Sequence, residues 1–91
     1  MTKTELIKKI QKECENEPEN KFGHQYSANR WEKHGKDRLY INRTNGRNRT
    51  SKGYIDLNNI SDEYLDLAPS MEKDDLKTRI EKVIEKYKEV K

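Results

Sequence analysis

The chain has 91 residues, of which 20 are Lys or Arg and 17 are Asp or Glu, so its formal net charge is +3. Leu, Ile, Val and Phe together number only 16, a low share for a folded domain, but disordered chains also carry a large net charge. The length allows one small domain. There is no apolar run near the length of a membrane-spanning helix, and the N-terminus is polar. We therefore expect neither a membrane span nor a signal peptide. With Cys14 as the single cysteine, we expect the reducing cytoplasm as its compartment.

Charge is unevenly distributed along the chain. Residues 21–54 carry a net charge of +7, and the following residues 55–76 carry −6. A basic block of this kind attracts phosphates or an acidic protein surface. The small total charge therefore hides a candidate binding region in the middle of the chain.

Residues 1–17 predict an amphipathic helix over about 3–16. Thr2 and Glu5 have the spacing of a capping box. Pro18 ends the helix, because proline lacks the N–H group that the helix needs. Apolar side chains recur at helical spacing on one side: Leu6, Ile7, Ile10 and Cys14.

Residues 70–91 predict a second amphipathic helix, with Pro69 and Ser70 at its start. Between the basic block and this helix, residues 60–68 predict a short helical turn with Ser61 as N-cap, and a fourth strand is the alternative. The apolar stripe of the last helix contains Leu76, Ile80, Val83, Ile84, Tyr87 and Val90.

Residues 21–58 have the composition of β-strands. Residues 39–41 and 54–57 are rich in β-branched and aromatic side chains, and a weaker strand pattern spans about 25–33. The tripeptide at 34–36 predicts the loop of the first hairpin, in which Gly35 supplies a positive φ.

The pairing of the strands is predicted from the rule that directly opposed residues share a face. A two-residue turn at Asn45-Gly46 opposes Ile41 to Thr50, which places an apolar side chain against a polar one. Pairing Leu39 with Ile55 keeps the apolar residues together. We therefore place Asn45-Gly46 within a longer loop of about 43–52.

The same parity predicts the two faces of the sheet. The inner face, covered by both helices, contains Trp31, Leu39, Ile41, Ile55 and Leu57. The outer face contains Arg30, Arg38, Tyr40, Asn42, Tyr54 and Asp56. The predicted fold is a single α+β domain of order α-β-β-β-α, with a small antiparallel sheet of about three strands and both amphipathic helices on one face.

Two groups of side chains in the basic region are candidate binding residues. The predicted loop carries four cations that suit phosphate groups: Arg43, Arg47, Arg49 and Lys52. On the predicted outer face, aromatic rings beside guanidinium groups suit stacking on bases: Arg30, Arg38, Tyr40 and Tyr54. The leading hypothesis is a non-enzymatic module that binds DNA or RNA through residues 21–54.

Motifs for cofactor, metal or catalytic chemistry are missing from the sequence. The chain has no glycine-rich phosphate loop and no zinc-ligand spacing, so we predict neither a cofactor nor a metal. A small ribonuclease that uses His24 or His34 as base or acid remains an alternative. Its remaining groups would be Tyr26, Lys36 and Arg38.

The predicted element order resembles that of the double-stranded RNA-binding domain. That family has a basic cluster at the start of its last helix, where this chain has Met71-Glu72-Lys73-Asp74-Asp75. The resemblance is therefore one of topology and assigns no residue a role. Small phage-encoded inhibitors of bacterial immunity also combine a short sheet with flanking helices. An inhibitor that binds a host protein or nucleoprotein complex is thus the second hypothesis.

Overall fold

In the residues that it describes, a computed structural model of the chain has two α-helices and a four-stranded antiparallel sheet. The structure describes residues 2–18, 20, 23–58, 60, 65–67 and 75–90. The elements are α1 (Lys3–Glu15), β1 (His24–Lys33), β2 (Lys36–Asn45), β3 (Asn48–Asp56), β4 (Leu65–Leu67) and α2 (Asp75–Val90). The strands lie in the sheet in chain order. The predicted α+β fold of order α-β-β-β-α, with both helices on one face, is confirmed, and β4 extends its sheet.

Helix α1 begins and ends where the sequence indicates. The Thr2 hydroxyl accepts a hydrogen bond from the backbone N–H of Glu5 at 3.2 Å, which satisfies one of the free donors at the helix start. At the other end, the amide group of Asn20 donates to the carbonyl oxygens of Cys14 and Glu15. The same side chain accepts from the backbone N–H of Tyr26. Asn20 therefore closes the helix and ties its end to β1.

Helix α2 buries the described side chains of the predicted apolar stripe, which exclude that of Val90. Leu76, Ile80 and Ile84 are fully buried, Tyr87 is nearly so, and Val83 packs at the edge of the core. The predicted start at residues 69–70 lies outside the described residues. Among the described helices, none is long and apolar enough to cross a membrane.

One hydrophobic core joins both helices to the inner face of the sheet. Of the five residues predicted for that face, Leu39, Ile41, Ile55 and Leu57 are buried. The sheet adds Tyr26 and Ala28 from β1. The core contains Leu6, Ile7, Ile10, Cys14, Tyr26, Ala28, Leu39, Ile41, Ile55, Leu57, Leu76, Ile80, Ile84 and Tyr87.

The first hairpin turns in two residues rather than the predicted three. Lys33 pairs with Lys36, so His34 and Gly35 alone form the turn. Both have positive φ, 56° and 78°, as a type I′ turn requires. Because the side-chain period of a strand is two, removing one loop residue reverses the face of every residue in β1 relative to the prediction.

That reversal exchanges two predicted positions. Arg30 pairs with Leu39, and Trp31 pairs with Arg38. The prediction that Trp31 lies on the inner face and Arg30 on the outer face is therefore wrong. Trp31 lies on the outer face and is half-buried.

The second hairpin combines the predicted apolar pairing with a tight turn. Leu39 pairs with Ile55, as predicted, yet Asn45 pairs with Asn48. The predicted loop over 43–52 is therefore wrong, because strand pairing continues to a two-residue turn at Gly46 and Arg47. A β-bulge makes the apolar pairing compatible with the two-residue turn. Ile41 pairs with Gly53, and the next residue of β2, Asn42, pairs with Ser51. Lys52 is therefore an extra residue in β3.

The segment predicted as a helical turn contributes a strand instead. Residues 65–67 form β4 and pair with residues 53–55 of β3. The prediction of helix is wrong there, because the exposed backbone groups of β3 offer an edge on which a short segment of alternating pattern forms ladder hydrogen bonds. The remainder of the predicted turn, except Ile60, lies outside the described residues.

Candidate nucleic-acid interface

The outer face of the sheet presents aromatic, cationic and amide side chains in cross-strand rows. The register of the three long strands builds these rows, since opposed residues share a face. From one end of the sheet to the other they are Trp31–Arg38–Asp56, Asn29–Tyr40–Tyr54, Ser27–Asn42–Ser51 and Gln25–Thr44–Arg49. Both described helices pack on the opposite face. Within the described part of the chain, no helix covers this surface, which we call the open face.

Three aromatic rings form a chain across three strands of the open face. Trp31 and Tyr40 meet edge to face, with ring centroids 6.2 Å apart. Tyr40 and Tyr54 follow at 5.5 Å with their planes tilted by 48°. All three side chains are half-buried. Such contacts hold the rings in place while part of each remains accessible to a ligand.

Arg38 is built into this aromatic chain. Its guanidinium carbon lies 4.1 Å from the centroid of the Tyr54 ring, which is a cation–π contact. One of its nitrogens donates a hydrogen bond to the Tyr40 hydroxyl at 3.0 Å. That hydrogen bond raises the pKa of Arg38 above its ordinary value. Arg38 is therefore a fixed, permanently charged planar group between two tyrosines.

Polar side chains continue the open face toward the second hairpin turn. A shallow depression is lined by Asn29, Arg30, Trp31, Tyr40, Asn42, Arg49 and Ser51, of which Asn42 is buried. The Asn29 amide donates to the Ser27 hydroxyl at 3.2 Å. Amide and hydroxyl groups both donate and accept hydrogen bonds, so this part of the face suits the edges of polar, planar ligands.

The predicted phosphate-binding cations are divided among several positions. Arg49 lies on the open face opposite Thr44, and Arg47 is exposed in the hairpin turn. Lys52 is the bulged residue, and Arg43 shares the inner side of β2 with Ile41. The structure therefore does not gather the four cations at one point.

Arg30 forms ion pairs on the side of the sheet that faces the helices. It forms a bidentate pair with Asp37, with distances of 2.9 and 2.8 Å. Lys3 of α1 joins the same carboxylate at 3.2 Å, and Glu32 lies 3.2 Å from Arg30. Arg30 thus stabilises the packing of α1 on the sheet, and we do not assign it to the open face.

The hydrogen bond from Arg30 also changes the pKa of Asp37. Together with a second hydrogen bond from Lys3, it lowers the pKa of Asp37 below its ordinary value, although burial acts in the opposite direction. Asp37 is therefore a carboxylate at neutral pH, and its charge is matched by two cations.

The two histidines of the ribonuclease alternative lie at opposite ends of the sheet. His24 begins β1 and His34 lies in the turn that follows it. They are ten positions apart along an extended strand, or roughly 30 Å at about 3.3 Å per residue. They therefore do not form an acid–base pair. Among the described residues, no three His, Cys, Asp or Glu side chains gather as metal ligands would.

Trp31 is the functional candidate that sequence reasoning missed. The signal was the dipeptide His34-Gly35, whose residue types suit a two-residue turn with positive φ at both positions. With that turn, parity places Trp31 beside Tyr40 on the open face.

Comparisons with models of protein families, with curated proteins and with solved structures found no match to this chain.

Proposed function

We propose that this chain is a non-enzymatic module that binds nucleic acid on the open face of its sheet. The observation that supports the proposal best is the linked cluster of Trp31, Arg38, Tyr40 and Tyr54 on a face that no described helix covers. Aromatic rings and guanidinium planes are the groups on which nucleobases stack. Exposed aromatic clusters with a polar surround also mark binding surfaces in general.

Charge around the cluster suits a polyanion. By register, the open face carries the cations Lys33, Lys36, Arg38 and Arg49 and the acid Asp56, and Asp66 of β4 is paired with Tyr54. Arg47 extends from the adjacent turn. Phosphate contacts by such cations supply affinity that is independent of base sequence. The predicted cations that lie on or beside the open face, Arg47 and Arg49, are the ones we assign to phosphates.

The test is binding of mixed-sequence DNA and RNA, single-stranded and duplex, followed by fluorescence anisotropy at several salt concentrations. We expect affinity to fall as salt rises, with a slope that loses somewhat less than one unit for each phosphate contact removed. The double variant Arg47→Glu, Arg49→Glu reverses two of the assigned cations and should weaken binding to every nucleic acid.

The chain offers a matched control for that variant. Lys8 and Lys12 are exposed on α1, away from the open face. The double variant Lys8→Glu, Lys12→Glu changes the net charge by the same amount and should bind nearly as the parent does. Equal loss in both double variants indicates a general charge effect. Absence of binding to all nucleic acids at low salt refutes the proposal.

A protein partner is the competing function for the same surface. Trp, Tyr and Arg are also the residues that dominate protein interfaces. Under this alternative, which includes an inhibitor of a host protein, Arg38→Ala or Tyr54→Ala abolishes capture of a protein from a nuclease-treated lysate. Purified nucleic acid then fails to bind the parent chain.

A further inference from the structure

We infer that the ligand of the open face is a single-stranded nucleic acid, with bases stacked on Trp31 and on the guanidinium plane of Arg38. This inference rests on the proposed function and specifies its substrate class. It depends on the geometry of the aromatic chain and not on the number of cations.

The surfaces available for stacking are set by the contacts within the cluster. Arg38 lies over one face of Tyr54, so a base on that side meets the guanidinium plane rather than the ring. Trp31 and Tyr40 are nearly perpendicular, at 84°. The indole therefore ends the aromatic chain on the edge strand β1, where it is half-buried and has no further described ring beside it.

The size of this platform matches a short run of bases. The rings span three neighbouring strands, a width of about 10 Å for strands about 4.8 Å apart. Sheets that bind RNA through aromatic residues stack two or three bases on a platform of this kind.

A duplex does not offer the groups that this platform accepts. Base faces in a duplex are stacked on one another, and its grooves are read by an inserted helix or a two-stranded ribbon. Unpaired bases expose both their faces and their hydrogen-bonding edges. The Asn29 amide and the Ser51 hydroxyl belong to exposed residues beside the Tyr40 ring on the open face, where they meet such edges.

Trp31 provides a direct probe because it is the only tryptophan. Its emission should be quenched when a base stacks on the indole. We would titrate the full chain with oligothymidylate and oligouridylate of about ten nucleotides, within the range that one small sheet domain occupies. A blunt hairpin duplex and inorganic polyphosphate serve as comparison ligands.

The expected result is quenching by both single strands and at least tenfold weaker binding of the duplex and of polyphosphate. Trp31→Ala should weaken single-strand binding by about tenfold or more, which is typical for the loss of one stacked base. Because this variant has no tryptophan, its binding is followed by the fluorescence anisotropy of a labelled single strand. Trp31→Phe keeps an aromatic face and should recover most of that loss. Circular dichroism of each variant confirms that it folds.

Other outcomes separate this inference from the proposed function. If the duplex binds as tightly as the single strands and leaves the Trp31 emission unchanged, nucleic-acid binding stands and the single-strand inference is overturned. If polyphosphate competes equally with the single strands, stacking is overturned as well. If none of the nucleic acids binds, both proposals fail.

Discussion

The indole of Trp31 meets the ring of Tyr40 edge to face across β1 and β2, with centroids 6.2 Å apart. This pair joins the edge strand of the sheet to the cluster formed by Tyr40, Tyr54 and Arg38. It also shows that the only tryptophan of the chain lies outside the core. We therefore expect this side chain to contribute less to folding than a core residue does.

The first prediction compares the stability of two variants on opposite faces. Trp31→Ala removes a half-buried ring and its aromatic pair, which contributes about 0.5–1.5 kcal/mol beyond area burial. Leu39→Ala opens a cavity in the core and should cost about 2–5 kcal/mol. We expect Leu39→Ala to lower the free energy of unfolding more, as measured by urea denaturation followed by circular dichroism. Equal losses would place Trp31 in the core.

The second prediction concerns the carboxylate that joins α1 to the sheet. Asp37→Asn leaves Arg30 and Lys3 without their charged acceptor and should lower the free energy of unfolding at neutral pH by about 1–3 kcal/mol. The effect should decrease in high salt, because Lys3 and Arg30 remain partly exposed. A matched control is Asp56→Asn on the open face, which leaves this ion-pair group intact.

The pH dependence of stability provides a second test of the Asp37 carboxylate. The pKa of Asp37 is lowered from 3.8 in the folded chain, first by the hydrogen bond from Arg30. Its stabilising contribution is therefore present above that ordinary value and is lost as the pH falls through the lower folded pKa. The difference in free energy of unfolding between parent and Asp37→Asn should decrease over this acidic range. A difference that does not change with pH would contradict the assignment.

The third prediction tests the turn that determines which face Trp31 occupies. His34 has a φ of 56°, a conformation that asparagine adopts more readily. His34→Asn should therefore raise the free energy of unfolding by about 0.5 kcal/mol or more, as seen in the midpoint of thermal unfolding. Gly35, with φ 78°, gives the opposite control. Gly35→Ala should destabilise by about 1 kcal/mol, although a Cβ there meets no atom within 4 Å.

The fourth prediction concerns the reactivity of the buried thiol. Burial raises the pKa of Cys14 to about 12 from an ordinary value of 9.0. The thiolate fraction at mildly alkaline pH then falls by about a thousandfold, because each pKa unit is a factor of ten. We expect a thiol reagent to modify the folded chain slowly and the urea-unfolded chain rapidly. Fast modification without denaturant would contradict burial of this side chain between the helices and the sheet.

Both helices were predictable because their information is local. The capping residues and the three- and four-residue spacing of apolar side chains lie within each segment, and burial of Leu6, Ile10, Ile80 and Ile84 followed from that spacing. The pairing of Leu39 with Ile55 was predictable for a related reason. The apolar residues of β2 and β3 share one face only in this register or in one shifted by two residues.

The open face was predicted in part. Arg38, Tyr40, Asn42, Tyr54 and Asp56 lie on it as expected, because they alternate with buried residues of the same two strands. Contacts within the face, such as Arg38 over Tyr54, depend on rotamers that alternation alone does not specify.

The sequence by itself determined the two helices, the core of β2 and β3, and the residue types available for binding. The residue types of His34 and Gly35 suit a two-residue turn, but only the tertiary structure decided that this turn forms and that Lys52 bulges from β3. A difference of one residue in a turn or a bulge costs little locally, but it moves every following side chain to the opposite face of the sheet. The position of Trp31 therefore depends on packing the whole sheet against both helices. The basic character of residues 21–54 follows from their composition alone.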